Sequence, residues 1–427
     1  VWRLPGGTGR GRWVRHSSAE LKQTPRLPVS PEVEVLLCAA SVTPLEERID
    51  RLRALLAQDL DWEYLLAAAE HHCIPSLLYW HLSRAGLDRV SETAAAALKH
   101  SYAGIVQRNM LFVQELLHLV ALLREASIPV VPYKGPLLAH ALYDDLAQRQ
   151  MWDLDLLVKE ADLARAKRLL LDDGYTQKSI MTPEEEARVR KQNDEEVFHS
   201  PRNGLEIELH WRLMPPAIGK ASPSEFVWAH ARMETRFGAP MLTLPPELHA
   251  LVIFLHAGVK HRWAQLKFLA DAARIMNKLD GLDWDTIWCE MDARGETHAL
   301  LVGACLAQAL LGAPVPDVLS AGLRRDAHVR ASAGLVMGRI FREGFGLPGL
   351  HEWRGYTRAL HGLDIDGQPA WTPLGERLRY VRAVLTPEYG DKFALPGLPR
   401  GLSFLHYAIR PVRLAGRHGP RLIGRMR

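Results

Sequence analysis

Apolar and polar positions change period twice within residues 128–158, which read IPVVPYKGPLLAHALYDDLAQRQMWDLDLLV. The β-branched apolar run at 128–133 predicts a strand, the spacing over 136–147 a helix, and the run at 152–158 a second strand. Successive side chains of a strand face opposite ways, so Asp153 and Asp155 share one face while Leu154 and Leu156 take the other. Two carboxylates on one face repel each other unless a cation sits between them. Mg²⁺ suits that place, being hard and partial to carboxylate oxygen.

Upstream, helical spacing governs residues 31–125. Val33, Leu36 and Leu37 recur at helix intervals, as do Leu52, Leu55 and Leu56; Asp61-Trp-Glu-Tyr-Leu-Leu starts another helix. A long helix is expected over 91–126 from the repeat Leu111, Gln114-Glu115, His118-Leu119, Leu122. Downstream, a helix at 160–172 ends on Gly174 as C-cap, and 175–181 reads as a third strand. Thr182-Pro183 followed by Glu184, Glu185 and Glu186 opens a helix. Runs at 196–200 and 205–211 flank Pro-Arg-Asn-Gly, a hairpin signal with Asn203-Gly204 at the turn. Beyond Met214 the pattern is mostly helical: 247–260, 263–278, 284–293, 298–311, 334–342 and 374–385, with a Gly- and Pro-rich loop at 346–372. The fold class is α+β, a small mixed β-sheet core at 126–214 between helical regions at 31–125 and 215–398. Residues 1–30 read as a disordered basic tail and 399–427 as a basic C-terminal tail.

The strand at 205–211 alternates strictly. Glu206, Glu208 and His210 share one face, and Leu205, Ile207, Leu209 and Trp211 the other. Beside an Asp-x-Asp strand, such a face suits a metal site; by itself it suits a solvent-facing edge of a hairpin equally well. The Lys134-Gly135 turn lets backbone approach a phosphate and sets a point charge at a helix start. Arg149 can clamp phosphate or pair with Asp144 or Asp145. His71-His72-Cys73 reads as packing, since adjacent helical residues point about 100° apart. His256 and His261, five apart, fall about 140° apart on an α-helix and read as packing or substrate contact. Asp364 and Asp366 sit among Gly and Pro and read as a loop. A glycosidase is disfavoured: its carboxylates flank a bond at about 5–9.5 Å, whereas i, i+2 neighbours on a strand crowd together.

Lys134-Gly135, Tyr143, Arg149, Asp153-Leu-Asp155-Leu-Leu-Val158, Gly174-Tyr175 and Glu208-Leu-His210-Trp211, then His256, His261, Trp263, Leu266 and Asp271, occur in an order that resembles the uncharacterised nucleotidyltransferase family of the polymerase-β-like superfamily. The resemblance spans residues 128–271. It implies a polymerase-β-like core that moves a nucleoside monophosphate from an NTP, such as ATP, to an acceptor hydroxyl. It also implies Mg²⁺ at Asp153, Asp155 and Glu208, the last favoured over Glu206 because it lies two residues before His-Trp, and available as a base. Lys134, Gly135 and Arg149 would then handle phosphate. The wider superfamily commonly reads Gly-Ser or Gly-Gly at this turn; here Pro136 removes one N–H donor, which shifts the load to Lys134 and Arg149. The alternative is a non-catalytic nucleotide-binding or adaptor relative. No motif names the acceptor: small molecules such as sugar phosphates and antibiotics, peptides, proteins and RNA all carry suitable hydroxyls.

Composition narrows this only slightly. The 427 residues suggest two to three domains, and 48% hydrophobic with 24% charged residues is ordinary for a globular protein. A net charge of +4 makes no case for nucleic acid. Cys38, Cys73, Cys289 and Cys305 are far apart, as expected of free thiols in the cytoplasm. No run of about 18 apolar residues predicts a membrane span, and the N-terminus carries no signal-like apolar core. From Arg400 onward there are seven arginines and no acid; the apolar part at 402–414 suits an anionic membrane surface or, more commonly, packing on its own domain.

Overall fold

The computed structural model describes residues 30–178, 186–187, 190–191, 193–214, 224–278 and 281–341. The N-terminal helices are α1 (Pro31–Ala40), α2 (Leu45–Leu55), α3 (Trp62–His71), α4 (Pro75–Ala85) and α5 (Glu92–Glu125). Three of them start on side-chain caps: Ser30, Asp61 and Ser91 accept from the amides of Val33, Tyr64 and Ala94. The long helix thus lies where the apolar spacing put it.

The sheet follows. β1 (Val130–Pro132), β2 (Asp153–Val158), β3 (Thr176–Gln177), β4 (Glu195–His199) and β5 (Glu206–His210) stand in the order β1-β2-β5-β4-β3. β2 and β5 run parallel; the other pairs are antiparallel, so the sheet is mixed. α6 (Gly135–Leu142) links β1 towards β2, and α7 (Leu163–Asp172) follows β2. One face of the sheet contributes Leu154, Leu156, Phe198, Ile207 and Leu209 to a core with Phe112 and Leu116 of α5. The other carries Val131, Tyr133 and Leu157 into a core built from both helical regions, including Leu36, Leu52, Leu78, Leu269 and Leu306. Asp153, Asp155, Glu208 and His210 share this second face.

Several elements differ from expectation. α6 ends at Leu142, five residues short, because Tyr143 turns extended; Asp145 then caps a short turn by accepting from the Ala147 amide. The region after Met214 is not wholly helical. After α8 (Ser224–His230) comes a hairpin, β6 (Arg232–Arg236) and β7 (Ala239–Thr243). Its first strand, Arg-Met-Glu-Thr-Arg, lacks apolar alternation, and its turn residues Phe237 and Gly238 are both left-handed, at φ 50° and 79°. Residues 1–29, the helix start at Thr182-Pro183, the Asp364/Asp366 loop, the helix at 374–385 and the basic end lie outside the described residues.

The segment at 247–278 departs most. α9 (Pro246–Phe254) widens into a π-helical turn, Leu255–Lys260, closed by the His261 amide donating to the His256 carbonyl (3.1 Å). Arg262 and Trp263 follow with left-handed φ of 50° and 56°, so α10 (Leu266–Lys278) begins three residues later than its spacing predicts. The buried Trp263 indole explains the detour. It lies against Gly258 and Gly303 and donates from Nε1 to the Ala299 carbonyl (3.0 Å). α11 (Trp284–Arg294), α12 (Thr297–Leu311), α13 (Asp317–Arg325) and α14 (Ala327–Ile340) complete the bundle; α13 was not foreseen. Among the described residues no helix is long and apolar enough to cross a membrane.

A Cβ added at Gly303 would lie 2.1 Å from the Trp263 ring, whereas one at Gly334 meets nothing within 4 Å. Gly303→Ala is therefore expected to destabilise by about 1–3 kcal/mol, and Gly334→Ala to be neutral or slightly stabilising; denaturant titration of both variants checks this.

Candidate active site

Strand register assembles the site. β2 and β5 pair so that Asp155 stands beside Glu208 and Asp153 beside Glu206. Across the β4–β5 hairpin, Glu195 stands opposite His210. Period-two alternation puts all of these on one face. Glu206 is drawn to Lys178 (3.1 Å) at the half-exposed end, while Glu208 is buried against His210.

Two cations and one imidazole hold the acids together. The buried Lys134 ammonium contacts the Asp155 carboxylate directly. His210 Nε2 lies 3.3 Å from Asp155, 3.2 Å from Glu208 and 3.7 Å from Glu195, and its Nδ1 is 4.0 Å from Asp194. Lys260, from the π-turn, reaches Glu195 at 2.8 Å and Asp194 at 3.6 Å. Burial favours the neutral imidazole, but hydrogen bonds to Asp155 and Glu208 and the charges around them prevail and raise His210 to about 9. Burial also pushes Asp155 upward, yet Lys134 and His210 overcome it and hold that carboxyl below its ordinary value. Asp153 shifts the other way: burial and the charges of Asp155 and Glu208 raise it, against the fields of Lys134 and Lys267.

Gly135 has φ +57°, so the turn requires glycine for its backbone conformation. A Cβ there would sit 3.8 Å from the Asp153 carbonyl oxygen, which places this backbone beside the acid strand. Arg149 is engaged differently from both expectations. Its Nε and Nη2 donate to Asp271 at 3.0–3.2 Å, Tyr143 donates its hydroxyl to the same carboxylate (2.7 Å), and Lys278, not Arg149, takes Asp144. It is a partly buried brace between α10 and the segment preceding β2, its guanidinium already paired.

The histidines divide. His72 packs at the start of α10, its carbonyl and Nδ1 accepting from the amides of Lys267 (3.3 Å) and Leu266 (3.4 Å). His256 and His261, expected on different faces, meet with Nε2 atoms 3.1 Å apart. An α-helix would separate them; the i→i+5 geometry of the π-turn superposes them. Asp194, Glu195, Lys260 and Lys267 went unrecognised in the sequence. Carrying the hairpin alternation back one residue from 196 would have put Glu195 on the acid face.

Asp155, Glu208 and His210 offer ligand atoms all within 4.8 Å of one another, as do Asp194, Glu195 and His210. The first group has donor atoms enough for a metal ion, with Asp153 at the neighbouring same-face position of β2 and the Lys134 ammonium against Asp155. Paired acids on neighbouring strands, beside a glycine turn at a helix start, define a nucleotidyltransferase-like core. The chain belongs to the uncharacterised nucleotidyltransferase family, whose family model matches residues 58–312. The match extends beyond the sheet to α3–α5 and α11–α12. No curated protein and no solved structure matches the chain.

Without divalent ions, the folded protein retains a proton on Asp153 at pH values where the unfolded chain has lost it. This group's contribution to stability therefore falls as pH rises from the ordinary carboxylate range towards neutrality, while that of Asp155 is lost only on acidification. Asp153→Asn is expected to raise the melting temperature at pH 8 in chelator and to lose that advantage when Mg²⁺ is added. Thermal melts at two pH values, with and without Mg²⁺, check it.

Proposed function

We propose that the protein transfers a nucleoside monophosphate from an NTP to an acceptor hydroxyl, with Asp153, Asp155 and Glu208 holding Mg²⁺. The observation that carries this reading is the parallel β2–β5 register, which sets Asp155 beside Glu208 and Asp153 next to them in a chain of this family. When bound, the ion would offset charge on the α-phosphate and on the departing pyrophosphate. Lys134, which contacts Asp155, would be released towards phosphate if that carboxylate held the ion. The backbone at Gly135 lets phosphate approach, and Pro136 presents no N–H. Glu208 accepts the acceptor's hydroxyl proton at Oε1, its Oε2 being engaged by His210 (3.2 Å). Arg149, fixed by Asp271, holds the start of β2 in place.

Two observations favour a second reading. Lys134 already neutralises Asp155, and Pro136 has removed a phosphate donor, so a nucleotide-binding adaptor without turnover is the alternative.

α-Labelled ATP, GTP, CTP and UTP with Mg²⁺ and a cell extract decide between them. Transfer predicts a labelled product and pyrophosphate release, both abolished by Asp153→Asn, Asp155→Asn and Glu208→Gln. NTP-dependent thermal stabilisation with no label transferred, equal in wild type and variants, would establish the adaptor instead.

A further inference from the structure

The two cations that the sequence pointed to, and Lys260 beside the acids, are already paired. Lys134 is held by Asp155, Arg149 by Asp271, and Lys260 by Glu195 and Asp194. A triphosphate needs positive charge that is not committed to a carboxylate. Lys267, in the first turn of α10, supplies it. It is half-buried, its amide is tied to the His72 carbonyl, and its ammonium lies 5.0 Å over the ring of Phe268. Among the described residues no carboxylate forms an ion pair with it.

Its neighbours are basic as well. His261 stacks on the same Phe268 ring at 4.7 Å, His256 meets that ring edge-on at 5.8 Å, and the two imidazoles touch through Nε2. Such a contact holds one proton between two rings, so one imidazole always donates. No third histidine, cysteine or carboxylate among the described residues joins them in a metal-sized group, which argues against a cation here. The cluster also lies within electrostatic reach of the acid face. The fields of Lys134 and Lys267 both act on Asp153, and burial first, then Lys134, His261, Lys260 and Lys267, hold His256 far below its ordinary value. Basic groups crowded in a half-buried place repel one another until an anion arrives.

We propose that Lys267, flanked by His256 and His261, seats the terminal phosphates of the NTP, opposite the carboxylates that hold the ion. This rests on the nucleotidyl-transfer reading and adds to it a phosphate-binding wall contributed by the π-turn and α10. The π-turn is what makes it: with an ordinary α-turn the two histidines would diverge.

Inorganic tripolyphosphate with Mg²⁺ is a base-independent probe. Isothermal titration of wild type, Lys267→Ala, Lys267→Gln and Lys267→Arg should show about ten- to a hundredfold weaker tripolyphosphate binding in the first two. Lys267→Arg should bind close to wild type, and orthophosphate affinity should change little throughout. Lys267→Gln keeps a stem over Phe268, and a wild-type melting curve for it separates lost charge from lost folding. Unchanged tripolyphosphate affinity in both neutral variants would overturn the proposal, and an accompanying loss in Lys134→Ala would move the seat to Lys134. If wild type transfers label from NTP yet none of the Lys267 variants changes tripolyphosphate binding, this inference alone falls. If wild type neither transfers label nor binds tripolyphosphate, the transfer reading falls with it.

Discussion

Five carboxylates, Asp153, Asp155, Asp194, Glu195 and Glu208, converge on one face of a sheet, and the rest of the structure answers to that crowding. Like charges removed from water cannot all remain ionised without compensation. Lys134, Lys260 and the imidazolium of His210 bring positive charge among them. The opposed displacements of Asp153 and Asp155 express the same crowding. The carboxyl with close cationic partners stays ionised, and its neighbour takes up a proton. Removing one partner of a buried ion pair typically costs about 3–5 kcal/mol, so Lys134 and His210 are structural as well as chemical.

The helical bundle is the source of that compensation, which explains why the family match reaches well past the sheet. Lys260 arrives from a π-turn, and the turn exists because Trp263 is slotted between Gly258 and Gly303. A glycine on α12, distant in sequence from any acid, thereby fixes the reach of a lysine into the site. Asp271 does the corresponding work from α10: it fixes Arg149 and Tyr143, and through them the segment that leads into β2. Packing and electrostatics are one system here, because the bundle's core and the sheet's acid face are two sides of the same contact.

Much of this was legible in the residues. Asp153 and Asp155 on one face, Glu208 and His210 on another strand, and the Asn203-Gly204 hairpin all follow from period-two alternation, and the structure shows each as expected. The 34-residue α5 is visible from its spacing. What escaped was whatever depends on partners remote in sequence. Nothing near Arg149 announces Asp271, and nothing near Lys134 announces that Asp155 will take its charge. A rotation of 100° per residue separates His256 from His261, and they meet because the helix winds more slowly there. The β6–β7 hairpin escaped because its first strand is polar and solvated, leaving no hydrophobic period to read.

The central claim is that the acid face is built to exchange lysine charge for a divalent ion. Anomalous diffraction from crystals grown with Mn²⁺ and a non-hydrolysable NTP tests it most directly. The account predicts a metal peak bounded by Asp153, Asp155 and Glu208, with the Lys134 ammonium withdrawn from Asp155 towards phosphate. An NTP bound with no metal peak at these carboxylates, and Lys134 still against Asp155, would contradict it.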